Sequence, residues 1–96
     1  MKISEVGIRE LKEYAREYND DVETIKTFEL ILVAGKAYIK GYTGLTDEQL
    51  DTHEDLTIVL MVLSNEMYDN RVFSVESDKV NTVIKSILDM HSVNLL

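Results

Sequence analysis

The sequence contains no cysteine and no proline, and it has no apolar run long enough to span a membrane. The absence of cysteine excludes disulfides, thiolate nucleophiles and cysteine-based zinc sites, and it is typical of a reducing compartment. The first six residues lack the apolar core of a signal peptide. We therefore expect a soluble protein that is made in the cytoplasm and has no membrane partner.

Basic residues are also few, since 10 Lys and Arg stand against 18 Asp and Glu and the net charge is -8. The basic residues are scattered, whereas binding to phosphates needs clustered Lys and Arg, so we expect no specific nucleic-acid binding. The acidic residues do cluster, because five of the nine residues at 47–55 are Asp or Glu. This segment is either a solvated connection or a docking surface for a basic partner.

The stretch at residues 56–71 organises the rest of the chain. Its first eight residues contain a single polar member, Thr57, so the segment has no wet face before Ser64. Apolar residues continue at helical spacing through Leu60, Leu63 and Met67, which is longer than a typical strand. We predict a central helix that begins at Thr52 or His53, is buried on nearly all sides, and ends in a polar segment.

The longest predicted helix runs from Val22 to a left-handed cap at Gly44, and Asp20 with Glu23 resembles a capping box at its start. Gly35 falls on its apolar stripe, where a missing side chain lets another helix approach closely. Before it, a first amphipathic helix is predicted to begin near residue 4 or just after residue 7. Its apolar stripe comprises Ile8, Leu11, Ala15 and Tyr18.

Two further helices complete the pattern. Thr46 followed by Gln49 predicts a one-turn helix, and Ser77 or Asp78 is predicted to cap the last helix. The segment between the central and last helices is either a short extended piece or a loop. The last stripe comprises Val80, Val83, Ile84, Ile87 and Leu88.

These patterns predict one small all-α domain. No stretch shows the alternation that a sheet requires, and there is no repeat or low-complexity linker. Ninety-six residues suffice for one core without metal or disulfide staples. We expect four main helices, two of them long and antiparallel, plus the short one-turn helix.

Catalytic patterns are poor. The best candidate is the group Asp51, His53, Glu54 and Asp55, but no second histidine follows four residues after His53-Glu54, so the zinc-protease helix motif is absent. His91, at the end of the last helix, is a partner for the helix dipole rather than a metal ligand. No phosphate-binding glycine loop and no nucleophile elbow occurs. We expect no enzyme activity, no cofactor and no metal site.

Three short blocks carry a resemblance: A-Y-I-K-G-Y-T-G at residues 37–44, M-Y-D-N-R at 67–71 and V-N-T-V-I-K-S-I-L at 80–88. They follow an L-K-E-Y segment at residues 11–14 and an acidic break before the long helix. With these features in this order, most of the chain resembles the small head-tail connector proteins of long-tailed phages and prophages. These proteins are also called DNA-packaging or head-completion adaptors.

The resemblance implies an all-α virion protein that assembles as a ring beneath the portal and continues the DNA channel at the head-tail junction. Its implied partners are other copies of the chain, the portal protein and a downstream tail or stopper component. Members often carry a proline before the last helix and an arginine near its end, and this chain has neither. Besides Gly44, the family pattern maps onto candidate interface residues Tyr38, Tyr42, Tyr68, Asn70 and Arg71.

Lys36 and Lys40 lie one turn apart on the face of the long helix opposite its stripe, and they are the candidate channel-facing residues. Within a ring of acidic subunits they would make at most a weak, screened contact with DNA.

Each matched residue also has a structural explanation. Tyr38 and Tyr42 lie one turn apart on a mostly buried helix, so their rings can pack in the core with their hydroxyls at its edge. Asn70 and Arg71 can satisfy the last carbonyls of the central helix, an end that favours a cation. Arginine is also enriched at subunit interfaces, so both interpretations stand.

Two functions are therefore open. The first is the connector adaptor, whose role is structural, as one subunit of a ring beneath the portal. The second is a small acidic regulatory or inhibitor protein that occupies a site on a basic partner. Genes for a portal, a capsid protein and a terminase nearby would favour the first, and an isolated operon beside a nuclease or toxin would favour the second.

Overall fold

The computed structural model describes residues 1–73, 75 and 80–93. Every regular element in these residues is helical, which confirms the predicted all-α fold. A 3-10 turn at Ile3–Glu5 precedes five α-helices, which are α1 (Ile8–Ala15), α2 (Val22–Thr43), α3 (Asp47–Leu50), α4 (Asp55–Asn70) and α5 (Thr82–His91).

The two long helices, α2 and α4, pack antiparallel, as predicted. Phe28 near the start of α2 contacts Tyr68 near the end of α4, with ring centroids 4.4 Å apart. Helices α1 and α5 each pack across both long helices. Helix α4 forms the middle of the core, as predicted, but Ile58 is 60% exposed, so the helix is not buried on nearly all sides. Its buried residues are Leu56, Thr57, Val59, Leu60, Leu63, Ser64 and Met67.

Gly35 sets the separation of the long helices at their midpoint. The residue is buried on α2, and a Cβ atom added there would lie 2.7 Å from Leu60 Cδ1 and 3.4 Å from Ser64 Oγ. The hydrogen atom of glycine leaves room for the Leu60 side chain, which is fully buried. The close approach predicted from the position of this glycine is confirmed.

The helix ends follow local chemistry. Gly44 takes the left-handed conformation at φ 72° and donates its N–H to the Lys40 carbonyl, as predicted for a C-cap. Thr46 and Gln49 form the predicted capping box, in which Gln49 N donates to Thr46 Oγ1 at 3.2 Å and Thr46 N donates to Gln49 Oε1 at 2.9 Å. The one-turn helix α3 follows directly.

Several predicted boundaries were wrong by one to a few residues. Asp21, not Asp20, caps α2, because its carboxylate accepts a hydrogen bond from Thr24 N at 2.7 Å. Helix α4 begins at Asp55, later than predicted, because residues 51–54 form turns that follow α3. Helix α1 begins just after Gly7, one of the two predicted starts, and the earlier residues form the separate 3-10 turn.

Two apolar stripes were extended too far. Tyr18 follows the end of α1 and is 76% exposed, and Val83 on α5 is 65% exposed. Helix α5 begins at Thr82 and is capped by Asn81, whose side chain accepts a hydrogen bond from Val83 N. The predicted caps Ser77 and Asp78 lie outside the described residues, as does Ser74 in the segment that precedes them.

Candidate interaction surfaces

The candidate interface residues form two groups at opposite ends of the molecule. Because α2 and α4 are antiparallel, the last turn of α2 with Tyr38 and Tyr42 lies beside the start of α4. Tyr68, Asn70 and Arg71 lie beside the first half of α2, as the contact of Tyr68 with Phe28 shows. We call these groups the tyrosine end and the arginine end. The structure does not bring them together within one chain.

At the tyrosine end, the two rings contact each other with centroids 5.8 Å apart, and both are half-buried. The Tyr42 hydroxyl donates a hydrogen bond to the Asp89 carboxylate on α5. This bond, together with burial, raises the pKa of Tyr42 to about 12. Burial, and then the Asp89 charge, raises the pKa of Tyr38. The Tyr42 hydroxyl therefore connects α2 to α5, while the apolar rings of the two tyrosines contact each other.

A histidine pair extends the tyrosine end toward α4. The His91 ring at the end of α5 stacks on the His53 ring with centroids 4.0 Å apart, and His91 Nε2 lies 2.7 Å from Asp55 Oδ2. His91 is thus a structural contact between α5 and the first residue of α4, in addition to its place near the α5 dipole. No group of three metal-ligating side chains occurs within the part of the chain that the structure describes.

At the arginine end, Arg71 is the left-handed C-cap of α4 at φ 53°. Its guanidinium donates to the Tyr68 carbonyl and lies over the Tyr68 ring at 4.0 Å from the centroid. Asn70 Nδ2 donates to the Glu66 carbonyl at 2.9 Å. Arg71 thus satisfies one of the last carbonyls of the helix, as the structural explanation anticipates, whereas Asn70 bonds a carbonyl one turn back, and both side chains stay exposed.

Tyr68 also connects the arginine end to the residues after α1. Its hydroxyl donates a hydrogen bond to the Glu17 carboxylate, which lowers the pKa of Glu17 and raises the pKa of Tyr68. The sequence patterns contained no sign of this pair, because its members lie far apart along the chain. The same holds for Tyr42 with Asp89.

The lysines predicted to face the channel both have partners within the chain. Lys36 is half-buried, and its Nζ donates to the Val6 carbonyl at 3.1 Å. Lys40 is exposed, and its Nζ lies 3.1 Å from Asp47 Oδ1. Lys40 is therefore in an ion pair, and Lys36 is held by a neutral backbone carbonyl.

The acidic segment at residues 47–55 is largely engaged by the fold. Asp47 pairs with Lys40, and Asp51 accepts hydrogen bonds from Ser4 N at 2.9 Å and from Ser4 Oγ at 2.7 Å. The Ser4 side-chain and backbone bonds lower the pKa of Asp51. Asp55 pairs with His91, and Glu54 lies 3.9 Å from the N-terminal ammonium. These contacts leave much of the segment accessible, because the Asp47 side chain is 80% exposed and the Glu54 side chain is 78% exposed.

An exposed apolar face on α2 escaped the sequence analysis. Leu30 is 57% exposed and Val33 is 69% exposed, and Ala37 continues the same face one turn later. The apolar residues on the side of α2 away from the core indicate this face in the sequence. The prediction considered one apolar stripe, because one stripe is enough to pack a helix against a core.

Comparisons with protein-family models, with curated proteins and with solved structures give no match to this chain. None of the described helices has both the length and the apolar character needed to cross a membrane.

Proposed function

We propose that this chain is a phage or prophage virion protein, a head-tail connector adaptor that assembles as a ring under the portal. The resemblance of residues 37–44, 67–71 and 80–88 to that family carries the proposal. The all-α fold is the fold that the resemblance implies. The proposed partners are further copies of the chain, the portal protein and a downstream tail or stopper component at the head-tail junction.

The placement of the matched residues supports this proposal. A ring needs a heterologous interface, in which one patch of a subunit meets a different patch of its neighbour. The tyrosine end and the arginine end are two such separate patches, and Asn70 and Arg71 at the second are exposed. In this proposal the arginine end of one subunit contacts the tyrosine end of the next.

Charge supports a channel wall that does not hold DNA. The net charge of -8 repels phosphates over about one Debye length, roughly 8 Å at physiological salt. Lys36 and Lys40, the residues proposed to face the channel, are already paired with Val6 and Asp47. Repulsion suits a channel through which DNA slides, because tight phosphate contacts would act as a brake.

The interface is tested by Arg71→Glu with Arg16→Glu as its matched control. Both arginines are exposed left-handed C-caps, at φ 53° and φ 57°. The two substitutions therefore place glutamate in the same backbone conformation. We expect both variants to stay folded by circular dichroism, and only Arg71→Glu to be lost from virions. An unfolded Arg71→Glu protein beside a folded Arg16→Glu protein would make Arg71 a structural cap and end the interface assignment.

Binding to partners is tested with the isolated protein. We expect retention on an assembled portal ring from the same genome in a pull-down, and no gel shift of duplex DNA at physiological salt. Tight, salt-sensitive DNA binding without portal binding would contradict the adaptor proposal. So would a genome that encodes no portal.

A further inference from the structure

A cleft of about 380 Å³ lies between the 3-10 turn, the middle of α2 and α3. Its volume falls within the range of small-molecule sites, roughly 300–1,000 Å³. Ile3 and Leu50, each only 4% exposed, contribute apolar surface together with the methyl group of Ala37. The cleft therefore offers an apolar patch against which an apolar ligand body can pack.

The charged residues of the cleft are sorted by sign onto its two sides. Helix α2 contributes Lys36 and Lys40, one turn apart, while α3 and its C-cap contribute Asp47 and Asp51, also one turn apart. The Lys40–Asp47 ion pair joins the two sides at one position. The cleft therefore has a cationic side and an anionic side.

Hydrogen bonds between distant segments hold these sides in place. Asp51 accepts two hydrogen bonds from Ser4, and Lys36 donates to the Val6 carbonyl, so the 3-10 turn is fixed to both α2 and α3. These bonds leave some hydrogen-bond donors and acceptors of the charged groups unused. An ammonium carries three N–H donors, of which Lys36 uses one for Val6, and a carboxylate can accept about four hydrogen bonds. The site is thus preformed and retains hydrogen-bonding capacity.

We propose that this cleft binds a small zwitterion with an apolar body, the chemical class of a free apolar amino acid. The ligand carboxylate pairs with Lys36, its ammonium pairs with Asp51, and its side chain covers Ile3 and Leu50. A ligand with a single charge pairs with only one side of the cleft and lacks the second charged contact. This site does not depend on the adaptor function, and its failure leaves that proposal unchanged.

The ligand class is tested by titrating the isotope-labelled full chain with L-leucine and following backbone amide resonances. The matched probes are isocaproate, which lacks the ammonium, and isoamylamine, which lacks the carboxylate. We expect saturable shifts at Ser4, Ala37 and Leu50 with L-leucine. Each probe should bind at least about tenfold more weakly than L-leucine, because each lacks one charged hydrogen-bonding group. Absent or non-saturable shifts, or equal binding of a probe, would overturn the proposal.

The location is tested by Ala37→Leu, which fills the cleft without removing any charged contact that holds its sides. Val33→Leu is the matched control, since Val33 lies about one turn earlier on the same exposed face and does not line the cleft. We expect Ala37→Leu to weaken L-leucine binding by about tenfold or more and Val33→Leu to leave it unchanged. Parent-like binding by a folded Ala37→Leu protein would show that the ligand binds elsewhere.

Discussion

The middle of the α2–α4 pair and its two ends contact their neighbours through different forces. At the middle, Gly35 meets Leu60 in a region without charge, so contact depends on shape and on burial of apolar surface. At the ends, Tyr42 pairs with Asp89 and Tyr68 pairs with Glu17. Stability at the middle should therefore depend on side-chain volume, and stability at the ends should depend on pH.

Leu60→Ala should cause the largest loss in this comparison. Leu60 is fully buried between the long helices, so its truncation leaves a cavity that costs about 2–5 kcal/mol in the free energy of unfolding. Ile58→Ala is the control on the same helix, since Ile58 is 60% exposed, and it should cost within about 0.5 kcal/mol. Urea denaturation measures both, and equal losses would mean that volume at the middle is not decisive.

Gly35→Ala should come next, with a net loss of up to about 2 kcal/mol, because overpacking costs about 1–3 kcal/mol and helix propensity returns about 1 kcal/mol. The added Cβ would lie 2.7 Å from Leu60 Cδ1, in a core where that side chain has little room to move. Gly41→Ala is the matched control, because an added Cβ there meets nothing within 4 Å, and it should stabilise by up to about 1 kcal/mol through helix propensity.

A double variant sharpens the Gly35 prediction. In the Leu60→Ala background the close contact is gone, so Gly35→Ala should no longer destabilise, and the coupling between the two changes should be favourable. Additive losses at these positions, measured by the same denaturation, would show that the clash is not with Leu60.

Tyr42→Phe tests the tyrosine end in alkali. The pKa of Tyr42 is raised from its ordinary value of 10.0 to about 12, so its contribution is fully present below pH 10 and is lost as pH rises toward 12. The difference in unfolding free energy between the parent and Tyr42→Phe should shrink over that range. Asp89→Ala removes the acceptor and should show the same behaviour. A constant difference would exclude this hydrogen bond as its source.

Tyr68 and Glu17 test the arginine end in acid, where we expect the smallest effect. The pKa of Glu17 is lowered from 4.5, so its contribution is present above pH 4.5 and is lost as pH falls through the folded value. Glu17→Gln should remove this pH-dependent part of stability, Tyr68→Phe should remove the part due to the Tyr68 hydrogen bond, and the double variant should lose no more than Glu17→Gln. Thermal unfolding of the parent and the three variants from neutral to acidic pH would measure this pH-dependent part.

Local patterns were enough to predict most of the helices. The caps at Gly44 and Thr46 and the position of Gly35 follow from residues within one or two turns of each other. Tyr18 and Val83 show where such patterns stop, because each continues an apolar spacing that no other element covers. Periodicity records which residues share a helix face, and it carries no information on whether another helix packs there.

Much less of the candidate surfaces could be predicted. The resemblance selected Tyr42, Tyr68 and Arg71, and the structure places all three at helix ends with partners inside the chain. Two of those partners, Asp89 and Glu17, are charged residues that look like ordinary solvent-exposed positions in the sequence. Only packing of α5 and the end of α1 against the long helices brings them within hydrogen-bonding distance.

The sequence by itself determined the helical class, the two long apolar helices and the glycine at which they approach, because hydrophobic period and capping act over a few residues. The tertiary structure alone decided which polar and ionisable groups from distant segments meet. Ser4 with Asp51 and Lys36 with Val6 join segments that are distant along the chain, and together they form the cleft. The physical reason is that charge pairing is specified by position in space, which depends on the packing of every helix at once.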